Sequence, residues 1–401
     1  MGAAVHSLTY SGGHLIPLSY NARSLAVRWA SSTMAGLGIA LVVMILFILF
    51  GFVDGMRRTV ASTAETGNYI LLSTGAEAEP NSVIMQPAFE LLHAMPQFAT
   101  EQSGAPLISP EVVAGLNVNP GHAKTMFVYL RGVKPIAYSV HRNMKLVSGH
   151  WPTPGAGEWA VGRKLVAKFP ALGPPAKFHF GRRNWTIVGI FADDDSARES
   201  EVWADVDDLF NDYQHKNRGI ANVLHVVLKP GELSSITETL KKDPRLPLHA
   251  ESEKEFYATQ NQIADQFQSY GLILATILAI GAVFGGMNTM YAAVARRSRE
   301  IGVLRALGFG PGNVLASFVA ESAMLGLAGA IIGEVIGLAV ADATGLNSNL
   351  MNVGLLIFRF HLGVRAIAAG LIAGVLIGVI GGFLPAWRAS AIGINAALRE
   401  A

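Results

Sequence analysis

The 401-residue sequence contains no cysteine, which removes disulfide frameworks, thiolate metal sites and cysteine nucleophiles together. Charge is scarce as well: 15% of residues are Asp, Glu, Lys or Arg, against about 25% in soluble domains. Because 51% of residues are hydrophobic, that deficit points to lipid as a solvent rather than to an oversized core. A formal net charge of +2 gives no reason to expect nucleic acid, whose binders carry a concentrated basic face. No GxxxxGK[ST] phosphate loop occurs in the sequence, so energy from a nucleotide would have to arrive through a partner chain. Residues 1–33 hold no apolar run, and the first hydrophobic segment therefore reads as an uncleaved signal anchor.

What is present is unevenly placed. Residues 56–265 hold 21 of the 31 Lys and Arg, while four other segments are long and apolar enough to cross about 30 Å of hydrocarbon. The spans are expected at 34–55, 266–295, 314–341 and 366–387. Short basic loops orient such a chain. Arg23 and Arg28 precede the first span, Arg296, Arg297, Arg299 and Arg305 follow the second, and Arg388 and Arg399 follow the fourth. All lie on one side, so both termini are expected in the cytoplasm of a bacterial inner membrane protein, with Arg57 and Arg58 as the discordant signal. Residues 1–33 form a cytoplasmic arm whose stretch 17–31 suits a helix lying in the interface. The segments 296–313 and 388–401 are read as a cytoplasmic linker and tail, and 342–365 as a short outer loop.

The 56–265 interval reads as a translocated α+β domain. Met126–Val133, Thr186–Phe191 and Val223–Leu228 have strand patterning, and Arg163–Phe169 and Glu232–Lys242 helical patterning. Glu251–Gln268 is polar, rich in helix formers, and is expected to be a stalk running straight into the second span. No catalytic constellation, cofactor motif or metal site emerges. The domain's histidines (His93, His122, His141, His150, His179, His215, His225, His249) show no close metal-binding pair. Asp193–Asp195 lacks the glycine and terminal glutamate of a calcium loop and reads as a solvated acidic turn.

Within the spans, Gly329, Gly333 and Gly337, and then Gly370, Gly374, Gly378 and Gly382, recur at every fourth residue. Small residues at that period let another helix backbone approach closely, from this chain or from a second copy. Glu321 and Glu334 interrupt the third span, and intramembrane carboxylates are expensive enough to be functional candidates. The competing reading has each hydrogen-bonded to a neighbouring helix or reaching the interface.

One stretch then resembles a known family. MNTMYAAVARRSREIGVLRALGFG at 287–310, followed by VLASFVAESAMLG at 314–326, resembles the R-x-x-E-I-G-x-L-R-A-L-G signature of MacB/FtsX-type permeases and its span glutamate, here Glu321. LPAWRASAIGINAALRE at 384–400 is similar to the family's ending, with Gly393 and Ile394 where Asp-Pro is usual. The resemblance implies four transmembrane helices plus a large extracytoplasmic α+β domain of the MacB-like periplasmic core type, in a homodimer or a heterodimer of related permeases. It further implies a separate ATP-binding subunit holding ATP and Mg, with no cofactor on this chain, and mechanotransmission into periplasmic substrate handling or export. A periplasmic adaptor and outer-membrane channel would follow from the export reading. Arg297, Glu300, Ile301, Leu304, Arg305 and Leu307 would form an ATPase-coupling helix, its apolar ridge at i, i+3 and i+6. Two rivals stay open: a lipoprotein-extracting permease like LolC and LolE, and an FtsX-like regulator of a cell-wall hydrolase. A membrane-tethered enzyme is disfavoured for want of any site.

Overall fold

A computed structural model of the chain describes residues 29–118, 126–213, 219–353 and 356–391. The expected interfacial helix at 17–31 lies almost wholly outside them, as do His122, His215 and the tail beyond 391. The elements run α1 (Trp29–Ala61), β1 (Asn68–Ser73), α2 (Gln86–His93), β2 (Ile108–Val118), β3 (Met126–Val133), α3 (Ala137–Val140), β4 (Lys145–Gly149), β5 (Glu158–Gly162) and α4 (Arg163–Lys168). They continue through β6 (Lys177–Phe180), β7 (Arg183–Ala192), β8 (Val202–Asp205), α5 (Val206–Tyr213), β9 (Val223–Val227), α6 (Leu233–Lys242), β10 (Leu248–Ser252) and α7 (Glu253–Thr259). The last are α8 (Gln262–Arg296), α9 (Ser298–Ala306), α10 (Pro311–Ala343), β11 (Leu350–Val353), β12 (Leu356–Arg359) and α11 (Val364–Ala391). The chain divides into two compact units: residues 1–51, 267–344 and 362–401 form one, and 52–266 with 345–361 the other.

The helical unit contains the four helices long and apolar enough to cross a membrane. Each outruns its expected span by several residues at one or both ends, and α11 continues to Ala391, into what was expected to be tail. Their apolar surfaces meet around Ile39, Val43, Ala330 and Ile377. The glycine stripes are where the backbones close up, and they meet this chain's own helices. A Cβ added at Gly329 would lie 3.0 Å from the Gly36 carbonyl oxygen, and one at Gly333 would run into the Ala40 carbonyl, both on α1. On α11, a Cβ at Gly374 would lie 2.8 Å from the Gly326 carbonyl oxygen, and one at Gly378 would run into the Ser322 carbonyl. Gly337 faces Phe47, Gly370 faces Glu334, and Gly382 faces Ser322. With no hydrophobic drive between helices in lipid, such contact is a main source of association.

The second unit is α+β. Its ten-stranded sheet has the order β10-β1-β9-β2-β3-β8-β5-β7-β4, with β6 added on β7. Pairing is antiparallel except for β3 with β8 and β5 with β7. The long strand β2 changes partner midway: Ile108–Glu111 pair with β9 and Val112–Val118 with β3. Strand alternation fills different cores on the two faces. Along β1, Leu71 enters a core with Leu92, Phe98, Val226 and Ile236, while Ile70 and Leu72 face Val223, Phe256 and Tyr257. A third core surrounds Trp159 and Trp185.

One expectation is corrected here. The segment 342–365 is no simple loop: β11 and β12 form an antiparallel hairpin that inserts Leu350 and Ile357 into the tryptophan core. Lys168 Nζ donates to the Leu350 carbonyl at 2.6 Å, and the Ile357 amide donates to Ser200 Oγ at 3.1 Å. The stalk runs into the second span as expected, with α7 ending at Thr259 and α8 starting at Gln262. The discordant Arg57 and Arg58 both have partners in this unit, Asp265 at 2.6 Å and His361 Nε2 at 2.8 Å.

The glycine contacts carry a direct test. Gly378→Ala should lower the thermal unfolding midpoint in detergent, since overpacking costs about 1–3 kcal/mol. Gly285→Ala on α8, where an added Cβ meets nothing within 4 Å, should leave it unchanged or raise it by virtue of helix propensity. Equal shifts would refute the assignment.

Candidate functional site

The α+β unit encloses a cluster of charges where β2 exchanges partners. Glu111, the last β2 residue paired with β9, is fully buried. Arg131 on β3 sits one step away, with its Nη1 2.9 Å from Glu111 Oε2. Its Nε and Nη2 fork onto Glu201 at 2.7 and 3.0 Å, and Nη2 also reaches Glu79 Oε2 at 2.9 Å. Trp203 Nε1 donates to Glu201 Oε2 at 2.9 Å. His225, in the middle of β9, shows its Nδ1 to Glu253 Oε1 at 2.8 Å. Arg198 joins from the other side, 3.4 Å from Glu253 Oε1 and 3.2 Å from Asp193 Oδ2, and donates to the Thr63 carbonyl at 2.7 Å. His141, just past α3, has its Nε2 2.7 Å from Glu111 Oε1.

Two guanidiniums are thus shared among five buried carboxylates. Burial pushes the Glu79 carboxyl upward, but Arg131 and His225 more than reverse this and hold it at about 2. Glu253 is likewise raised by burial and brought down to about 2 by Arg198 and His225. Burial pulls His225 down, yet the surrounding Glu111, Glu253 and Glu79 carboxylates lift it to about 9. The electrostatics therefore demand positive charge at His225.

The structure brings together two of the histidines, where the sequence showed no close pair. The His141 and His225 rings lie 4.9 Å apart, both fully buried, and Glu111, His141 and His225 offer donor atoms within 4.8 Å of one another. They come from separate elements, so no local spacing announced them. Asp194 and Asp195 form the exposed turn expected, but Asp193 does not belong to it. Asp193 is buried against Arg198 and Ser196, while Asp194 and Asp195 bend the chain with φ of 45° and 63°. A usable signal existed in Glu111, Arg131 and His225 themselves, each a charged or titratable residue inside an apolar strand, where only a partnered group is tolerated. Beside the cluster opens a cavity of about 420 Å³ walled by Val60, Val113, Phe127, Tyr129, Phe256 and Tyr257, with Arg131, Glu79 and Glu201 at its polar side.

In the helical unit, the basic segment folds as α9, and Arg297 at its start is a junction. Its Nε lies 2.9 Å from Glu300 Oε2, its Nη1 3.1 Å from Glu321 Oε2, and its guanidinium 5.4 Å from the Phe318 ring centre. Glu321 is buried and so neutralised by the linker itself. Arg305 Nη1 donates to the Ser390 carbonyl at 3.1 Å. The expected ridge of Ile301, Leu304 and Leu307 is not one outward face: Ile301 packs with Val314, Phe318 and Ala386, Leu304 is half-buried, and Leu307 is exposed. The face turned outward is Arg299, Glu300, Val303, Ala306 and Leu307. Glu334 is half-buried against Gly370, and its Oε1 has no hydrogen-bond partner among the described residues.

Among the described residues, four apolar helices, a folded domain inserted between the first two and a basic helical linker after the second make the architecture of a polytopic membrane protein with one large inserted domain. Residues 32–241 match the MacB-like periplasmic core domain and residues 272–394 the FtsX-like permease C-terminal domain, and the chain belongs to this MacB/FtsX family. It is similar to an uncharacterized ABC transporter permease of Methanocaldococcus jannaschii, 33% identical over 42% of this chain and 44% of the relative. It is also similar to the macrolide export ATP-binding/permease protein MacB of Nitrobacter winogradskyi, 30% identical over 43% of this chain and 27% of that one. The matches thus span less than half the length of these relatives. The periplasmic region of MacB from Actinobacillus actinomycetemcomitans aligns with 49% of the chain at 13% identity and a TM-score of 0.38.

The charge cluster predicts both a mutational and a pH effect. Arg131→Met leaves buried carboxylates without their partner and should cost about 3–5 kcal/mol, read as a lower unfolding midpoint. Glu79 and Glu253 fall from 4.5 to about 2 on folding. Their contribution is therefore complete above pH 4.5 and lost as pH falls toward 2. A midpoint that holds steady between pH 5 and pH 3 would count against this.

Proposed function

We propose that this chain is the permease subunit of an ATP-driven transporter of the mechanotransmission type, working with a separate ATP-binding subunit. The observation that carries the reading is α9: nine residues set between two membrane-length helices, pinned by Arg297 to Glu321 and by Arg305 to the Ser390 carbonyl, with an apolar-and-charged face outward. A partner pushing on that face would move α10 and α11 together, because these two helices are in backbone contact at the Gly326–Gly374–Gly378 crossing. The ATP-binding subunit docks on Arg299, Glu300, Val303, Ala306 and Leu307. The loops bearing Arg296–Arg305 are then cytoplasmic by their basic charge, and the α+β unit handles substrate on the far side, where its 420 Å³ apolar-walled cavity suits an apolar-bodied molecule. A second permease copy completes the transporter. An adaptor and an outer-membrane channel would extend it for export.

Two measurements test this. Val303→Asp with Leu307→Asp, both at exposed positions, should leave the unfolding midpoint unchanged while weakening binding of the ATP-binding subunit more than about tenfold, or 1.4 kcal/mol. Undiminished, permease-stimulated ATP hydrolysis by that pair would defeat the docking assignment. Single cysteines at the exposed Ser148 and Ala306 report orientation. An impermeant thiol reagent applied outside an intact inner membrane should label the first and spare the second.

A further inference from the structure

The hydrogen bonds of the buried cluster leave three atoms without a hydrogen-bond partner among the described residues, Arg198 Nε, His141 Nδ1 and His225 Nε2. His225 Nε2 lies 3.8 Å from Glu79 Oε1 and 3.8 Å from Glu111 Oε2, beyond hydrogen-bond reach, and has no hydrogen-bond partner among the described residues although its residue is fully buried. Its other nitrogen is fixed by Glu253 at 2.8 Å, which turns Nε2 toward the two carboxylates. A carboxylate holding the far nitrogen of an imidazole is the arrangement that orients metal-ligating histidines. The gaps have the matching size: atoms bound about 2.0–2.2 Å from one zinc ion stand roughly 3–4 Å from one another. The His141 ring lies 4.9 Å from that of His225, with its Nε2 hydrogen-bonded at 2.7 Å to Glu111 Oε1, which also accepts from Ser109 Oγ at 2.8 Å.

Charge points the same way. Five carboxylates face two guanidiniums, and the deficit is centred on His225, which borders Glu79, Glu111 and Glu253 at once. A dication supplies what the guanidiniums do not. Two imidazole nitrogens in the donor set argue against calcium and magnesium, which take oxygen ligands, and favour zinc.

We propose that Glu111, His141 and His225 bind a zinc ion, with Glu253 orienting His225 and the Glu79 carboxylate placed to complete the coordination. The ion would link β2, β9 and the segment after α3, giving a cysteine-free domain an internal cross-link.

The test uses the full chain in detergent, with any affinity tag removed. After dialysis against EDTA and reloading with zinc, elemental analysis should find one zinc per chain, and zinc should raise the unfolding midpoint by several degrees. His225→Gln and His141→Gln should each reduce bound zinc at least tenfold, while the exposed-site control His93→Gln retains it. Should those variants fail to fold, cobalt(II) loaded into the unaltered protein must give the visible bands of a low-coordinate nitrogen and oxygen site, and lose them on addition of zinc. The proposal is overturned if the unaltered chain holds less than a tenth of an equivalent of zinc with an unmoved midpoint, which would leave His225 balanced by a proton. It is equally overturned if His225→Gln binds zinc as well as the parent does.

Discussion

The α+β unit depends on one side chain, the Arg131 guanidinium. Among the described residues the sheet packs against several apolar clusters, one of which, with Val113, Tyr129 and Val223, borders the place where β2 leaves β9 for β3. A strand that changes partners exposes a seam, and in this sheet charge fills the seam beside that cluster. Arg131 touches carboxylates from β2, from the turn bearing Glu79 and from the approach to β8. Each of those elements could drift alone, and none can drift without stranding a buried ion. Such an arrangement is a weak source of net stability but a strong specifier of register, which a sheet with mixed parallel and antiparallel pairing requires.

The helical unit solves the same problem on a smaller scale. Glu321 would be costly alone in an apolar helix; paired with Arg297, it fixes where the linker α9 lies against α10. Glycine does the rest, since backbones that meet without side chains between them have a single low-energy separation. Polar pairing at one end and glycine contact along the length leave α10 and α11 little freedom to slide past one another.

Much of this was legible beforehand. Apolar run length located all four long helices, and strand alternation found β3 over its full extent and most of β7 and β9, because both signals are local. The glycine period was visible, though its partners on α1 and α10 were not. What escaped was set by tertiary contact. Glu111, His141 and His225 meet from three elements, and no spacing rule joins residues whose strands become neighbours only once the sheet forms. The outward face of α9 was misjudged because Ile301 looks like any exposed apolar residue until Phe318 and Ala386 are seen to cover it. Asp193 was misjudged for the converse reason, its burial being purchased by Arg198, five residues on.

The hairpin β11–β12 alters what counts as the domain. The interval between the first two spans lacks Leu350 and Ile357, and with them a corner of the tryptophan core; cut out alone, it would present that corner to water as an apolar patch. The same hairpin joins the chain to the domain by a second pair of strands, so four crossings of the polypeptide lead into it instead of two. An α+β unit exchanged between two such permeases must therefore carry both inserts from the same parent, and evolution of this domain is bound to a stretch of sequence that begins at residue 345, 79 residues after the first insert ends at 266.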